Sequence, residues 1–162
     1  MKKASPFCGF LLLTIISLNV SGAQKNKEPQ YVPVTVYDPS RDAEKDIQDA
    51  VAEAGRTSKR ILLEVGGQWC GWCHILDRYF EQSPELTGFR EKSFIMVKIN
   101  YSQENENKAV LARYPEIPGY PHLFVLDSDG KFLHSQGTAE LEKGKSYDLE
   151  KFFAFLKKWS PR

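Results

Sequence analysis

Residues 60–74 read RILLEVGGQWCGWCH, an apolar run followed by two glycines and two cysteines three positions apart. The run from Ile61 to Val65 is interrupted only by Glu64, and such a run is typical of a buried central strand. Residues 66–68 form a loop in this interpretation, and a helix begins around the cysteines. The sequence therefore predicts a cysteine pair at the carboxyl end of a central strand, at the entrance to a helix.

The spacing of Cys70 and Cys73 is compatible with three kinds of site. Two thiols at this spacing can form a redox-active disulfide, the string C-x-x-C-H also attaches c-type haem, and cysteines with a histidine can begin a zinc site. Haem would need His74 as its proximal ligand. Zinc would need four ligands, and the sequence has no second C-x-x-C pair. We favour redox chemistry, while a c-type cytochrome and a thiol-dependent binding module, such as a metallochaperone, remain the alternatives.

The composition is that of an ordinary globular protein. The 162 residues are 41% hydrophobic and 27% charged, which is enough chain for one domain with a hydrophobic core. The formal net charge is +1 and no block of like charges occurs, so nothing indicates a nucleic acid as partner. We expect a monomer.

The first residues have the pattern of a secretory signal peptide. Lys2 and Lys3 precede an apolar run over residues 7–20, and the small residues 21–23 suit a signal peptidase. This signal peptide would direct the protein to the periplasm or beyond the cell and would be cleaved near Ala23, and an uncleaved membrane anchor is the alternative. The predicted organisation is a signal peptide over residues 1–23, a lead-in over 24–37 and a domain over 38–162.

The mature chain would retain two of the three cysteines, Cys70 and Cys73. A loop this short adds little to stability through chain entropy, so the pair is better suited to chemistry than to stapling the fold. Export would place it in an oxidising compartment.

The remaining sequence alternates between strand and helix patterns. The predicted elements are an edge strand at 31–37, a helix that stops at Gly55, strands at 61–65 and 94–101, helices at 74–82, 85–91 and 104–114, a hairpin of strands 122–127 and 131–135, and a last helix at 148–159. This order predicts an α/β fold, with a central mixed β-sheet flanked by helices on both faces.

The start of a helix favours a reactive thiolate. Unpaired backbone N–H groups and the positive end of the helix dipole both stabilise an anion there. Cys70 lies at this position and Cys73 lies one turn deeper. We therefore predict that Cys70 attacks a substrate disulfide and that Cys73 resolves the mixed disulfide.

Four segments together resemble the thioredoxin superfamily: ILLEVGGQWCGWC at 61–73, VKIN at 97–100, GYP at 119–121 and DSDGK at 127–131. Within it, the chain is most similar to small exported thioredoxin-like proteins with a W-C-x-W-C-H motif. The resemblance implies a thioredoxin-like fold and a protein thiol–disulfide oxidoreductase. It also implies protein or small-thiol disulfide substrates, a membrane redox partner that recycles the pair, and no cofactor beyond the Cys70–Cys73 disulfide.

The resemblance further implies roles for residues outside the cysteine motif. Glu64 stands where the family keeps a buried acid, usually aspartate, which could exchange a proton with Cys73 through water. Lys98 stands where a family lysine neighbours that acid. Pro121 matches the family's cis-proline opposite the disulfide, where the backbone of Tyr120 could pair with an extended substrate.

The residues around the cysteines depart from the family pattern at two positions. Trp72 replaces a proline and His74 replaces a lysine, and both positions tune the redox potential. The buried acid and its lysine favour the reductase direction. The predicted substrate-binding residues are Trp69, Gly71, Trp72, His74, Tyr120 and Pro121.

Overall fold

The structure is a computed structural model that describes Met1 and residues 31–162. The predicted signal peptide beyond Met1, its cleavage site and residues 24–30 lie outside the described residues. The helices are α1 (Ala43–Thr57), α2 (Gly71–Glu81), α3 (Pro84–Ser93), α4 (Lys108–Leu111) and α5 (Leu149–Trp159). The strands are β1 (Arg60–Gly66), β2 (Phe94–Asn100), β3 (His122–Leu126), β4 (Phe132–Gly137), β5 (Glu142–Lys143) and β6 (Ser146–Tyr147), with a 3₁₀ helix at Thr138–Leu141.

A four-stranded mixed sheet runs in the order β2-β1-β3-β4. Strands β1 and β2 are parallel, whereas β3 runs antiparallel to β1 and β4 antiparallel to β3. In this register Glu64 of β1 lies beside Lys98 of β2 on one side and Leu123 of β3 on the other. Glu64 and Lys98, which the family resemblance implied to be neighbours, therefore lie side by side across a parallel ladder.

Helices cover both faces of this sheet, because successive side chains of a strand point to opposite faces. Ile61 and Leu63 of β1 pack with α1 on one face. Leu62 packs on the other face with α2, α3 and α5. The predicted α/β fold, with a mixed sheet between helices, is confirmed. Within residues 31–162, no helix is both long enough and apolar enough to cross a membrane.

The first helix continues beyond the predicted stop at Gly55, and that prediction was wrong. It extends to Thr57, and Ser58 then takes a left-handed conformation with a φ of 54°. The Ser58 backbone N–H donates to the carbonyl oxygen of Ala54, which closes the last turn. A serine in an unusual conformation, rather than the glycine, ends the helix.

The predicted helix at 104–114 was also wrong, since its regular part is only Lys108–Leu111. Asparagine side chains bind the backbone before it: the Asn107 amide donates to the carbonyl of Asn100 over 2.7 Å, and the Asn105 side chain accepts the N–H of Asn107 over 3.0 Å. Local bonds of this kind compete with helical hydrogen bonds. They hold residues 101–107 as an irregular loop.

The predicted edge strand at 31–37 is reduced to a single parallel bridge between Val34 and Val97. Pro33 lacks a backbone N–H, so a longer ladder is disfavoured there. The segment still packs on the domain, because Val34 and Tyr37 are each only 4% exposed. The end of the predicted lead-in thus contributes side chains to the interior.

Candidate active site

Cys70 and Cys73 form a disulfide at the junction of β1 and α2. Cys70 is the N-cap of α2, and its Sγ accepts the backbone N–H of Cys73 over 3.1 Å. Both side chains are buried, Cys73 fully and Cys70 nearly so. A helix amide is therefore already directed at the Cys70 sulfur, and this arrangement stabilises negative charge on it.

Two glycines allow the strand to approach the cysteines closely. A Cβ atom on Gly66 would lie 2.5 Å from the Cys73 Sγ and 2.8 Å from the Tyr37 hydroxyl oxygen. On Gly67, it would lie 2.5 Å from the Trp69 Nε1. The absence of side chains at both positions is therefore what lets sulfur, phenol and indole pack against the end of β1.

Glu64 is fully buried two residues before Gly66 on the same side of β1. Its Oε1 accepts a hydrogen bond from the Tyr37 hydroxyl and lies 3.4 Å from the Lys98 Nζ. Its Oε2 is buried without a hydrogen-bond partner among the described residues. Burial raises the pKa of Glu64, while Lys98 and the Tyr37 hydroxyl oppose that rise. The carboxyl is thus predisposed to hold a proton.

Lys98 connects this buried acid to the surface. Its Nζ also forms an ion pair with Asp77 of α2, whose side chain is 37% exposed, whereas that of Lys98 is 6% exposed. Glu64, Lys98 and Asp77 therefore form a continuous path of ionisable groups from the buried end of β1 to solvent. Asp77 was not predicted, although its position four residues after Cys73 on one helix places it on the same face.

Glu64 should make the stability of the oxidised protein depend on pH. A folded-state pKa above the ordinary value of 4.5 contributes stability at low pH that is lost as the pH rises through the folded pKa. We expect the unfolding free energy of the wild type to fall more steeply above about pH 4.5 than that of Glu64→Gln, which keeps a similar shape without the charge. Denaturant unfolding at several pH values measures this difference. Parallel pH curves for the two proteins would contradict it.

An aromatic rim borders the disulfide on one side. Trp69 is 57% exposed, and its Nε1 donates to the Tyr101 carbonyl over 2.7 Å. Tyr120 meets the Trp69 ring edge-on and stacks on the Tyr101 ring, with centroids 5.4 and 5.1 Å apart. The Tyr120–Pro121 peptide bond is cis, as the resemblance implied, and Tyr120 packs against the buried cluster of Tyr37, Cys70 and Cys73. Tyr101 was not predicted, yet it fixes both rings.

The other predicted residues occupy different positions around the pair. Trp72 is half-buried, and its ring packs edge-on against Tyr147 with centroids 5.7 Å apart. Gly71 is exposed, with no atom within 4 Å of where a Cβ would lie. The His74 Nε2 lies 2.8 Å from the Gln68 carbonyl oxygen.

The haem alternative would break the contact between His74 and Gln68, because the imidazole would have to bind iron instead. As for a metal centre, in the part of the chain that the structure describes no group of three or more His, Cys, Asp or Glu side chains is placed to hold a metal ion.

The chain is similar in sequence to one protein family and to two curated relatives. Residues 42–128 match the family described as Thioredoxin-like. The disulfide bond reductase DsbH of Chlamydia pneumoniae is 29% identical over 102 residues, which cover 55% of this chain and 61% of the relative. The thiol:disulfide interchange protein DsbE of Pseudomonas aeruginosa is 28% identical over 102 residues, covering 63% and 48% respectively. The chain thus spans only about half to three fifths of the length of these curated relatives.

A solved structure agrees over nearly its whole length. The crystal structure of the disulphide isomerase from Xylella fastidiosa Temecula1 superposes with a TM-score of 0.65 and 28% sequence identity. The match covers 79% of this chain and 98% of that one. Because the family match spans more than half of the sequence and the sheet order agrees with the expected fold, the chain belongs to the thioredoxin-like family.

Proposed function

We propose that this protein is an exported thiol–disulfide oxidoreductase in which Cys70 attacks and Cys73 resolves. The observation that carries the proposal is the Cys70 sulfur at the N-cap of α2, where it accepts the Cys73 backbone N–H. The names of the relatives, a reductase, an interchange protein and an isomerase, support the same reaction class. The chemistry needs no resident cofactor beyond the disulfide.

The reaction starts from the reduced pair. The Cys70 thiolate attacks one sulfur of the substrate disulfide, and the other substrate sulfur leaves as a thiolate that takes a proton from solvent. Cys73 then loses its proton towards Glu64, and its sulfur attacks the Cys70 sulfur of the mixed disulfide. The second substrate sulfur leaves, and two electrons have passed from the cysteine pair to the substrate.

We propose that electrons flow from the cysteine pair to the substrate, so that the protein acts as a reductase. The buried Glu64 beside Lys98 supports it, since a proton acceptor for Cys73 promotes release of a reduced substrate. Outside the cytoplasm a reductase needs a membrane partner to supply electrons, and the signal-like pattern of residues 1–23 supports export to the periplasm or beyond. Substrates are protein or small-thiol disulfides, and the protein acts as a monomer without nucleic acid.

The docking surface for substrate is the rim around the disulfide. Trp69 and Tyr120 form its aromatic side, and the backbone next to Pro121 can pair with an extended segment. Trp72 packs against the cysteine cluster, and the exposed Gly71 between the cysteines leaves room for a bulky substrate to approach Cys70. His74 holds the Gln68 carbonyl and thereby shapes the loop before the cysteines.

Insulin reduction tests the reaction. With dithiothreitol as electron source, we expect the wild type to accelerate precipitation of the reduced insulin chains, and Cys70→Ser to match dithiothreitol alone. Equilibration with glutathione buffers tests the direction, where a potential near that of thioredoxin, about −270 mV, fits a reductase and one near −120 mV fits an oxidant. A wild type that does not exceed dithiothreitol alone would contradict the proposed reaction.

A further inference from the structure

Tyr37 links the segment before α1 to the site. Its side chain is 4% exposed and belongs to one buried cluster with Cys70 and Cys73, and its hydroxyl donates to the Oε1 of Glu64. We propose that Tyr37 is a positioning residue, whose hydroxyl holds Glu64 so that its second carboxyl oxygen can take the Cys73 proton. This inference rests on the proposed exchange function.

The two oxygens of Glu64 have different surroundings. Oε1 accepts a hydrogen bond from the Tyr37 hydroxyl and lies 3.4 Å from the Lys98 ammonium. Oε2 has no hydrogen-bond partner among residues 31–162. A buried carboxyl oxygen without a donor is the one that can accept a proton. The hydrogen bond from Tyr37 to Oε1 therefore leaves Oε2 as the oxygen that is free to accept a proton. Tyr37 makes this bond from the segment before α1, outside the four-stranded sheet.

The position of the Tyr37 hydroxyl relative to sulfur supports the assignment. A Cβ placed on Gly66 would meet both the Cys73 Sγ and the Tyr37 hydroxyl, within 2.5 and 2.8 Å. Sulfur and hydroxyl thus lie against the same backbone atom. Because Glu64 lies two residues earlier on that face of β1, the acid held by Tyr37 is on the side of the strand that Cys73 contacts.

The charged groups near Glu64 do not replace the Tyr37 hydroxyl as its hydrogen-bond donor. The ionisable groups that interact electrostatically with Glu64 include Tyr37, Asp77, Arg90, Lys98 and Tyr147, and Cys73 lies against Gly66 two residues further along β1. Lys98 divides its ammonium between Glu64 and Asp77, so it does not hold the buried acid alone. Burial and the neighbouring Glu64 raise the pKa of Tyr37 well above its ordinary value. The phenol therefore keeps its proton and remains a donor throughout the reaction.

The proton and electron balance is that of the resolving step. The Cys73 S–H bond breaks and its proton passes to the Glu64 Oε2, directly or through water. The Cys73–Cys70 bond forms as the bond between Cys70 and the substrate breaks, and the substrate sulfur carries away the electron pair. Tyr37 gains and loses nothing; it sets the position and the proton affinity of the acceptor.

The test is Tyr37→Phe, which removes the hydroxyl and keeps the ring beneath the Lys98 ammonium, 4.5 Å from its centroid. Without the donor the Glu64 carboxylate is less stable, so the pH midpoint for substrate release from the Cys70 mixed disulfide should rise by about one unit. At pH values below both midpoints, release should slow about tenfold. Tyr31→Phe is the matched control, because it removes a hydroxyl of the same segment that donates to the Met96 carbonyl.

A second comparison separates positioning from a loss of packing. In a Glu64→Gln background, adding Tyr37→Phe should leave the pH profile of release unchanged, because the acceptor is already gone. A Tyr37→Phe protein that loses thermal stability but keeps the wild-type midpoint would overturn the proposal. So would an equal shift of the midpoint in the Glu64→Gln background.

Carboxyl NMR of the oxidised protein makes the outcome independent of turnover. We expect Tyr37→Phe to move the Glu64 titration to higher pH, and an unmoved titration would overturn the positioning role. A wild type without any exchange activity would instead overturn the proposed function, and the positioning role would fall with it even if the Glu64 titration moves. The two failures are therefore distinguishable.

Discussion

A Cys73→Ser variant should accumulate mixed disulfides through Cys70. The Cys70 sulfur keeps its place at the N-cap of α2, so it can still attack, but no second thiol one turn away can release the substrate. We expect a species that withstands non-reducing gel electrophoresis and disappears with dithiothreitol. Its lifetime should exceed that of the wild-type intermediate by orders of magnitude, because resolution becomes intermolecular.

The matched variant is Cys70→Ser, which keeps the deeper and fully buried Cys73. It should form few mixed disulfides under the same conditions, since its remaining sulfur is shielded from substrate. Mass spectrometry of the species trapped by Cys73→Ser would identify the substrate. Equal trapping by the two variants, or none by either, would contradict the assigned division of labour.

Gly66→Ala should be strongly destabilising although it adds only one methyl group. The added Cβ would lie 2.5 Å from the Cys73 Sγ, which the disulfide fixes, and 2.8 Å from the hydroxyl of the buried Tyr37. Neither neighbour is the free end of a flexible side chain, so the strand itself would have to shift. Overpacking of this kind costs about 1–3 kcal/mol, and we expect the upper part of that range.

Gly55→Ala is the matched control for this substitution. Gly55 lies inside α1, and nothing lies within 4 Å of the position of an added Cβ. Alanine there should raise the unfolding free energy by about 0.5–1 kcal/mol through helix propensity. Urea denaturation of the two oxidised variants measures both effects. If Gly66→Ala unfolded within 0.5 kcal/mol of the wild type, the close packing at the end of β1 would be refuted.

Local patterns predicted the scaffold because the signals lie close together in the chain. The apolar run with Glu64 predicted β1, and the C-x-x-C motif located the start of α2. The predictions failed where side chains bind the backbone. Asn107 and its neighbours hold a loop where the polar pattern indicated a helix, and Ser58 ended α1 beyond Gly55.

Around the buried acid Glu64, the sequence likewise predicted some of the site residues and missed others. Glu64 and Lys98 could be named from the sequence by resemblance, and the parallel register of β1 and β2 places them side by side. Nothing in the sequence connects Tyr37 with Glu64, because 27 positions and the whole of α1 separate them. Tyr101 was missed for a similar reason, since its contacts with Trp69 and Tyr120 form only when three loops meet.

The sequence by itself determined the alternation of strands and helices and the position of two thiols at the start of a helix, because hydrophobic periodicity and cysteine spacing are local properties of the chain. Only the tertiary structure decided what surrounds those thiols. Tyr37, Asp77 and Tyr101 reach the site from three separate segments, and their contacts depend on strand register and on the close packing at Gly66 and Gly67. Such contacts join residues far apart in the chain, so no local pattern records them.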